Sequence, residues 1–328
     1  MRIKTAITMT IALATGFLPG RCPASGVAWN PARDLDEQVC LLDVASQPYA
    51  IQADAERNRR QDAAAAEIAN SGDFVPMEQL RKGLNQATVQ LDLPAVQTSQ
   101  TPLSPREVYL RAHDAVVVVG RIYKCDRCPN WHLNGGSGFL IDSSAGIVVT
   151  NYHVVDQPPE RNKTLAVADH HVRVFPVRRI LAASRAHDLA ILKIDLNEVN
   201  DLPALPLADA PADVATPAHV IHHPGGRYYT FTSGVVSRRF ESRWANQTIP
   251  MISITAEYAL GSSGAPVLND RGQVIGIVAR TSPLNATIND NPTTVPSTMP
   301  APSYAQMVER RCVPVESLRE MIIRPQQQ

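Results

Sequence analysis

Between Asp34 and about Leu91 the apolar positions recur at helical spacing in a stretch rich in Ala, Gln, Glu and Arg, which predicts helices over 53–69 and 76–84. Residues 92–105 carry Pro94, Pro102 and Pro105 among Gln, Thr and Ser, the composition of a semi-extended linker. Ser104-Pro105-Arg106-Glu107 has the grammar of a helix start: a Ser cap, Pro at the first helical position and Glu three residues after the Ser. A short helix to about Ala112 follows. Beyond Ala115 the pattern changes to brief β-branched runs between Gly, Pro, Asn and Asp. These predict strands at 116–119, 138–141, 147–150, 172–180 and 189–194, then a second set at 219–222, 228–236, 248–255 and 274–279. Residues 202–209 read as the crossover between the sets. Residues 281–304, rich in Pro, Thr, Asn and Ser, predict a long mobile loop. Residues 313–315 are expected to return as a final edge strand and 316–323 to close the chain as a helix.

Many short strands separated by turns define an all-β sandwich or barrel. The expected division is a signal peptide at 1–26, a helical N-terminal extension at 27–91, a linker at 92–103 and the β domain at 104–328. Within that domain the strand sets occupy about 115–200 and about 210–320. Apolar residues make up 44% of the chain and charged residues 19%, ordinary usage for a folded protein and unlike a disordered or fibrous one. Lys plus Arg and Asp plus Glu balance at 31 each, so no net field attracts nucleic acid or anionic lipid.

Arg2 and Lys4 precede an uncharged run over 5–20, followed by small residues from Cys22 to Gly26, the layout of a secretory signal. The apolar stretch falls short of the ~20 residues that a membrane span requires. The expected location is therefore secreted or periplasmic, with no membrane association after cleavage. Cys40, Cys125, Cys128 and Cys312 remain in a compartment that permits disulfides, with connectivity open. Cys125-Asp126-Arg127-Cys128 with His132 reads either as a local disulfide or as half a zinc site, for which no second Cys or His pair follows at matching spacing. Adjacent histidines on a strand face opposite sides, so His170/His171 and His222/His223 are expected on surfaces or loops rather than on an ion. His187 is expected to be structural. No metal and no cofactor are expected.

Peptide cleavage without a metal needs a hydroxyl nucleophile, a base, a carboxylate to orient the base and donors for the oxyanion. Gly261-Ser262-Ser263-Gly264-Ala265-Pro266 sets a Ser between glycines, where the backbone can turn and aim the N–H groups of Gly261 and Ser263 at one spot. Residues 148–155 deliver His153 at the end of an apolar strand, and Asp188 stands just before the run 189–192. The chain order is His, Asp, Ser.

These blocks, together with Gly136-Ser137-Gly138-Phe139-Leu140-Ile141 and Val274-Ile275-Gly276-Ile277, resemble in order and spacing the chymotrypsin-fold serine proteases, specifically the bacterial HtrA (Deg-like) branch. The resemblance implies two six-stranded antiparallel β-barrels with the active site between them. It implies a catalytic triad of Ser263 as nucleophile, His153 as general base and Asp188 as the group fixing the imidazole, acting on protein or peptide substrates. Counting back six residues from Ser263 reaches Glu257, which by the same resemblance lies at the base of the S1 pocket; there it either selects a basic side chain or folds away to pair with a neighbour such as Arg280. Ala265 stands where the family usually has Gly, and Ser262 where it often has Asn or Asp. HtrA proteins typically carry a PDZ domain after the protease, and with about 65 residues beyond Ser263 none is expected here. The alternative to a serine endopeptidase is a catalytically inactive, protease-fold binding module. Oligomeric state is left open.

Overall fold

The computed structural model describes residues 53–196, 199, 202–244, 246–287 and 303–323, all within a compact unit spanning Gln52–Gln328. The expected signal peptide and Cys40 lie outside the described residues. Helix α1 (Asp54–Ser71) buries Gln61, Ala65 and Ala69, spaced four apart on one stripe, and ends at Gly72, whose φ of 78° is the left-handed conformation of a helix stop. Helix α2 (Met77–Leu80) runs directly into a 3-10 turn, Arg81–Asn85. After the two-residue strand β1 (Val89–Gln90), helix α3 (Pro105–Ala112) starts at the expected capping box. Ser104 Oγ accepts from Glu107 N at 3.3 Å, and Glu107 Oε2 accepts from Ser104 N at 2.7 Å.

The first barrel is closed by six strands: β2 (Val116–Lys124), β3 (Trp131–Asp142), β4 (Ile147–Thr150), β5 (Asn162–Ala168), β6 (Val174–Ser184) and β7 (Leu189–Ile194), in the order β2-β3-β4-β7-β6-β5. All its pairings are antiparallel. Val117, Val119, Leu140, Val148, Leu165 and Leu192, which alternate along their strands, gather in one apolar cluster. Their neighbours Val116, Val118, Phe139, Val149, Ala166 and Ile191 join the cluster that continues into the second barrel. Both faces of these strands are buried, so they appear in the sequence as unbroken apolar runs rather than alternation.

The second barrel is built from β8 (Pro217–His222), β9 (Thr230–Trp244), β10 (Gln247–Ile254), β11 (Pro266–Leu268), β12 (Val274–Thr287) and β13 (Ser303–Pro314), ordered β10-β13-β12-β11-β8-β9. Helix α5 is not reached until Val315; the intervening helix α4 (Tyr152–Val155) sits in the first barrel, and α5 (Val315–Met321) leads into β14 (Ile322–Ile323), which pairs with β1 in parallel. The all-β, double-barrel expectation with preceding helices is met.

Three local expectations need correction. Residues 281–287 and 303–304 are not loop: β12 runs to Thr287 and pairs with β13 from Ser303 onward, Thr287 opposite Ser303. The β-branched Thr281 and the ladder to β13 satisfy that backbone, and Pro283, which lacks an N–H, is accommodated opposite Val308. Residues 313–315 are not an edge strand either, because β13 lies between β10 and β12 and closes the barrel. Finally, β5 and β11 have no counterpart in the predicted strands.

Candidate active site

The three residues of the expected triad come from three connections. His153 lies in the single turn α4, directly after β4. Asp188 is in the β6–β7 turn, and Ser263 is in the loop between β10 and β11. Asp188 holds a positive φ of 55°, a conformation that Asp tolerates better than most residues but that costs on the order of 1–3 kcal/mol. Asn151 holds it there by donating from its side-chain amide to the Asp188 carbonyl at 2.8 Å. The Asp188 carboxylate is thereby aimed at His153. Its Oδ2 lies 2.8 Å from His153 Nδ1, and its Oδ1 accepts from the His153 backbone N–H at 3.0 Å. A carboxylate only accepts, so Nδ1 carries the proton and Nε2 presents a lone pair. The imidazole is half exposed.

The Ser263 loop is riveted to the first barrel. Ser137, fully buried between Gly136 and Gly138, donates from Oγ to Gly261 O at 2.9 Å and from its backbone N–H to Ser263 O at 2.7 Å. The same Oγ accepts from His223 N at 3.2 Å, and Ser137 O accepts from Thr150 Oγ1 at 2.7 Å. Gly264 has a φ of +87°, and a Cβ there would lie 2.2 Å from Ser137 O, so the approach requires glycine. Gly261 has a φ of +95° and a Cβ on it would meet His223 O at 2.6 Å. Among the described residues neither the Gly261 N–H nor the Ser263 N–H has an acceptor. Ser263 Oγ donates weakly to Ala279 O at 3.5 Å, and no hydrogen bond joins it to His153.

His153, Asp188 and Ser263 line one cavity of about 550 Å³. Apolar Ile249, Met251, Val278 and Val313 and the Tyr258 ring line it together with Arg185, Arg280 and Thr281. Burial raises the Tyr258 phenol pKa, which keeps it neutral, and its hydroxyl reaches Arg311 O at 2.8 Å. Glu257 does not line this cavity. Its carboxylate is exposed and paired with Arg310, not Arg280, while its carbonyl accepts from Thr232 Oγ1 at 2.8 Å. The chain direction at that point turns the Glu257 side chain to solvent and Tyr258 to the interior, so the six-residue offset does not put a carboxylate on the pocket floor.

One of the two histidine pairs departs from expectation. His222 and His223 are buried rather than on a surface. His222 Nδ1 is 2.6 Å from Ser262 Oγ, immediately beside the candidate nucleophile, and Ser262 Oγ accepts in turn from Ala259 N at 3.2 Å. Burial lowers the His222 pKa to about 4. Burial, aided by the Arg57 guanidinium and His222, lowers that of His223 to about 3. Both are neutral in the fold, and His223 Nδ1 accepts from Tyr229 N at 3.1 Å. The His170 and His171 rings lie tilted at 43° with centroids 3.7 Å apart, in a turn as expected, and His170 Nε2 lies 3.2 Å from Asp114. His187 Nδ1 contacts Ser184 Oγ at 3.0 Å. Ser137 and Asn151 were not singled out in the sequence as site residues; a Ser between two glycines in a β-branched run was the only available signal.

Two closed antiparallel barrels thus bring a His–Asp pair from the first and Ser263 from the second to one cavity. Residues 136–277 match the family model of the trypsin-like peptidase domain. It is 34% identical over 145 residues to a probable periplasmic serine endoprotease DegP-like protein of Marinomonas sp. (strain MWYL1), an alignment covering 43% of this chain and 29% of that one. It is 36% identical over 148 residues to the putative serine protease HhoA of Synechocystis sp. (strain ATCC 27184 / PCC 6803 / Kazusa), covering 43% of this chain and 36% of that one. The match thus spans about a third of the length of these curated relatives. Among solved structures, the HtrA-type protease AlgW with decapeptide aligns over 67% of this chain and 66% of its own, at 22% identity and a TM-score of 0.48.

Proposed function

We propose that this protein is a serine endopeptidase that cleaves peptide bonds of protein substrates through an acyl-enzyme. Ser263 Oγ attacks the scissile carbonyl carbon while His153 Nε2 takes its proton. Asp188 holds the imidazole by Nδ1 and stabilises the imidazolium. The Gly261 and Ser263 N–H groups donate to the oxyanion. His153 then returns the proton to the leaving amine, and water repeats the sequence to release the acyl group. The observation that carries this reading is the shared cavity. An oriented His153–Asp188 pair and Ser263 line it, and among the described residues the Gly261 and Ser263 N–H groups have no acceptor. Ser263 Oγ contacts Ala279 O rather than His153, and catalytic hydrogen bonds commonly tighten only with substrate bound.

The apolar residues lining the cavity, with Arg280 beside them, favour an aliphatic or aromatic side chain over a cation preceding the scissile bond. The N-terminal signal pattern, with relatives named periplasmic, supports a secreted or periplasmic site of action. The test is hydrolysis of an unstructured protein by the purified chain and by Ser263→Ala. Turnover lost only in the variant supports the proposal; equal turnover removes it.

A further inference from the structure

The β2–β3 hairpin places three soft ligand atoms together outside the catalytic cleft's machinery. The sulfurs of Cys125 and Cys128 and a ring nitrogen of His132 all lie within 4.8 Å of one another. Cys128 Sγ is 3.1 Å from His132 Nε2, and both cysteines are free thiols. Tetrahedral zinc, with Zn–S of about 2.3 Å and Zn–N of about 2.0–2.1 Å, separates its ligand atoms by roughly 3.6–3.8 Å. The cluster therefore needs adjustments of an ångström or less.

Two further features orient the cluster as a ligand set. His132 Nδ1 lies 2.6 Å from Asp62 Oδ2, so the proton sits on Nδ1 and the Nε2 lone pair faces the sulfurs. A ligating imidazole almost always has a carboxylate or carbonyl on its other nitrogen. Asp62 is itself fixed, its Oδ1 accepting from Leu133 N at 3.1 Å. The Arg127 backbone N–H points at Cys125 Sγ from 3.4 Å, a donor that favours a thiolate. Nothing in the peptidase mechanism uses any of these groups.

We propose that Cys125, Cys128 and His132 bind one Zn(II), with Asp62 as the positioning residue for the imidazole and solvent in the fourth position. Two thiolates and an imidazole suit zinc among the divalent ions, and binding releases the two thiol protons. The site joins the extension to the barrel, because Asp62 belongs to α1 whereas the ligands belong to the hairpin. It also borders the cleft: Asp62, His132, Gly136, His153 and Ser263 line a second cavity of about 660 Å³. Zinc at this point locks α1 onto β3 along one wall of the cleft. The half zinc site read in the sequence gains an outer carboxylate 70 residues away.

The test is metal binding by the full chain, purified from the compartment to which it is exported and handled without oxygen or chelator. One equivalent of zinc is expected. Exchange for Co(II) should give the intense visible bands of a tetrahedral site and a near-ultraviolet thiolate band. The double variant C125S/C128S should lose both, and Asp62→Asn should weaken zinc by about 10–100-fold with the bands kept. Zinc should also slow hydrogen exchange along α1 in the wild type and not in the double variant. A persistent Cys125–Cys128 disulfide, detected as a mass lower by two hydrogens, would overturn the proposal. So would reduced wild type that takes up no Co(II), or Co(II) spectra unchanged in the double variant. These readouts are independent of peptidase activity.

Discussion

Asp188 engages His153 twice, once at the ring Nδ1 and once at the backbone N–H, so a single carboxylate fixes both the tautomer and the position of the imidazole. Asp188→Asn replaces one of those acceptors by a donor and leaves the ring free to adopt the wrong tautomer. The expected outcome is a loss on the order of 10⁴-fold in kcat with the fold intact. Steady-state hydrolysis alongside circular dichroism checks it; near-wild-type turnover would move the role to another carboxylate.

Ser137 links the barrels at the point where the Ser263 loop crosses. Ser137→Ala removes the donor to Gly261 O and the acceptor of the His223 N–H, leaving buried groups unpaired. The expected cost is about 1–3 kcal/mol of stability. Because the bond holds Gly261, itself one of the proposed oxyanion donors, kcat should fall more than KM changes. A lowered Tm with unaltered kcat would restrict Ser137 to a structural part.

Glu257 faces solvent and pairs with Arg310, so Glu257→Gln should leave the order of preferred P1 residues unchanged. An exposed ion pair of this kind contributes little to stability. Cleavage of a P1-varied peptide library by both proteins should rank apolar residues above Arg and Lys. Preference for Arg that disappears in Glu257→Gln contradicts the cavity reading.

His222 and His223 make stability depend on pH in a stated direction. In the unfolded chain both take up a proton near the ordinary imidazole value of about 6.5. In the fold they refuse it down to about 4 and about 3. Between those limits the unfolded state binds more protons, so stability should fall as pH drops from about 6.5 and level off above it. Urea unfolding across pH 4–8 measures the slope, and His222→Asn should reduce it. A pH-independent midpoint counts against buried neutral histidines.

The barrel strands were legible where both faces are buried, because runs such as Val116 to Val119 stay apolar without interruption. That same closure misled the reading of His222 and His223. Alternation places adjacent side chains on opposite faces, but in a closed barrel covered by the Ser263 loop and α1 neither place is a surface. The motifs brought forward His153, Asp188 and Ser263, which the fold gathers on one cavity. They did not carry Asn151 or Ser137, whose roles arise from hydrogen bonds to residues 37 and 124 positions away. For Glu257 the structure follows the alternative of pairing with a neighbour, Arg310 rather than Arg280, since an offset along the chain does not specify which side of the backbone a carboxylate leaves. The Pro-rich composition of residues 281–304 likewise hid the hairpin, whose partner strand supplies the hydrogen bonds.

The central claim is that Ser263 is an activated nucleophile, and its most direct test is covalent capture by a fluorophosphonate followed by peptide mass mapping. The account predicts one modification, on the Ser263 hydroxyl. Labelling should be lost in Ser263→Ala and strongly slowed in His153→Ala, since members of such a set act as a unit. Absence of labelling in a folded wild-type protein, or a label on another residue that survives Ser263→Ala, contradicts it.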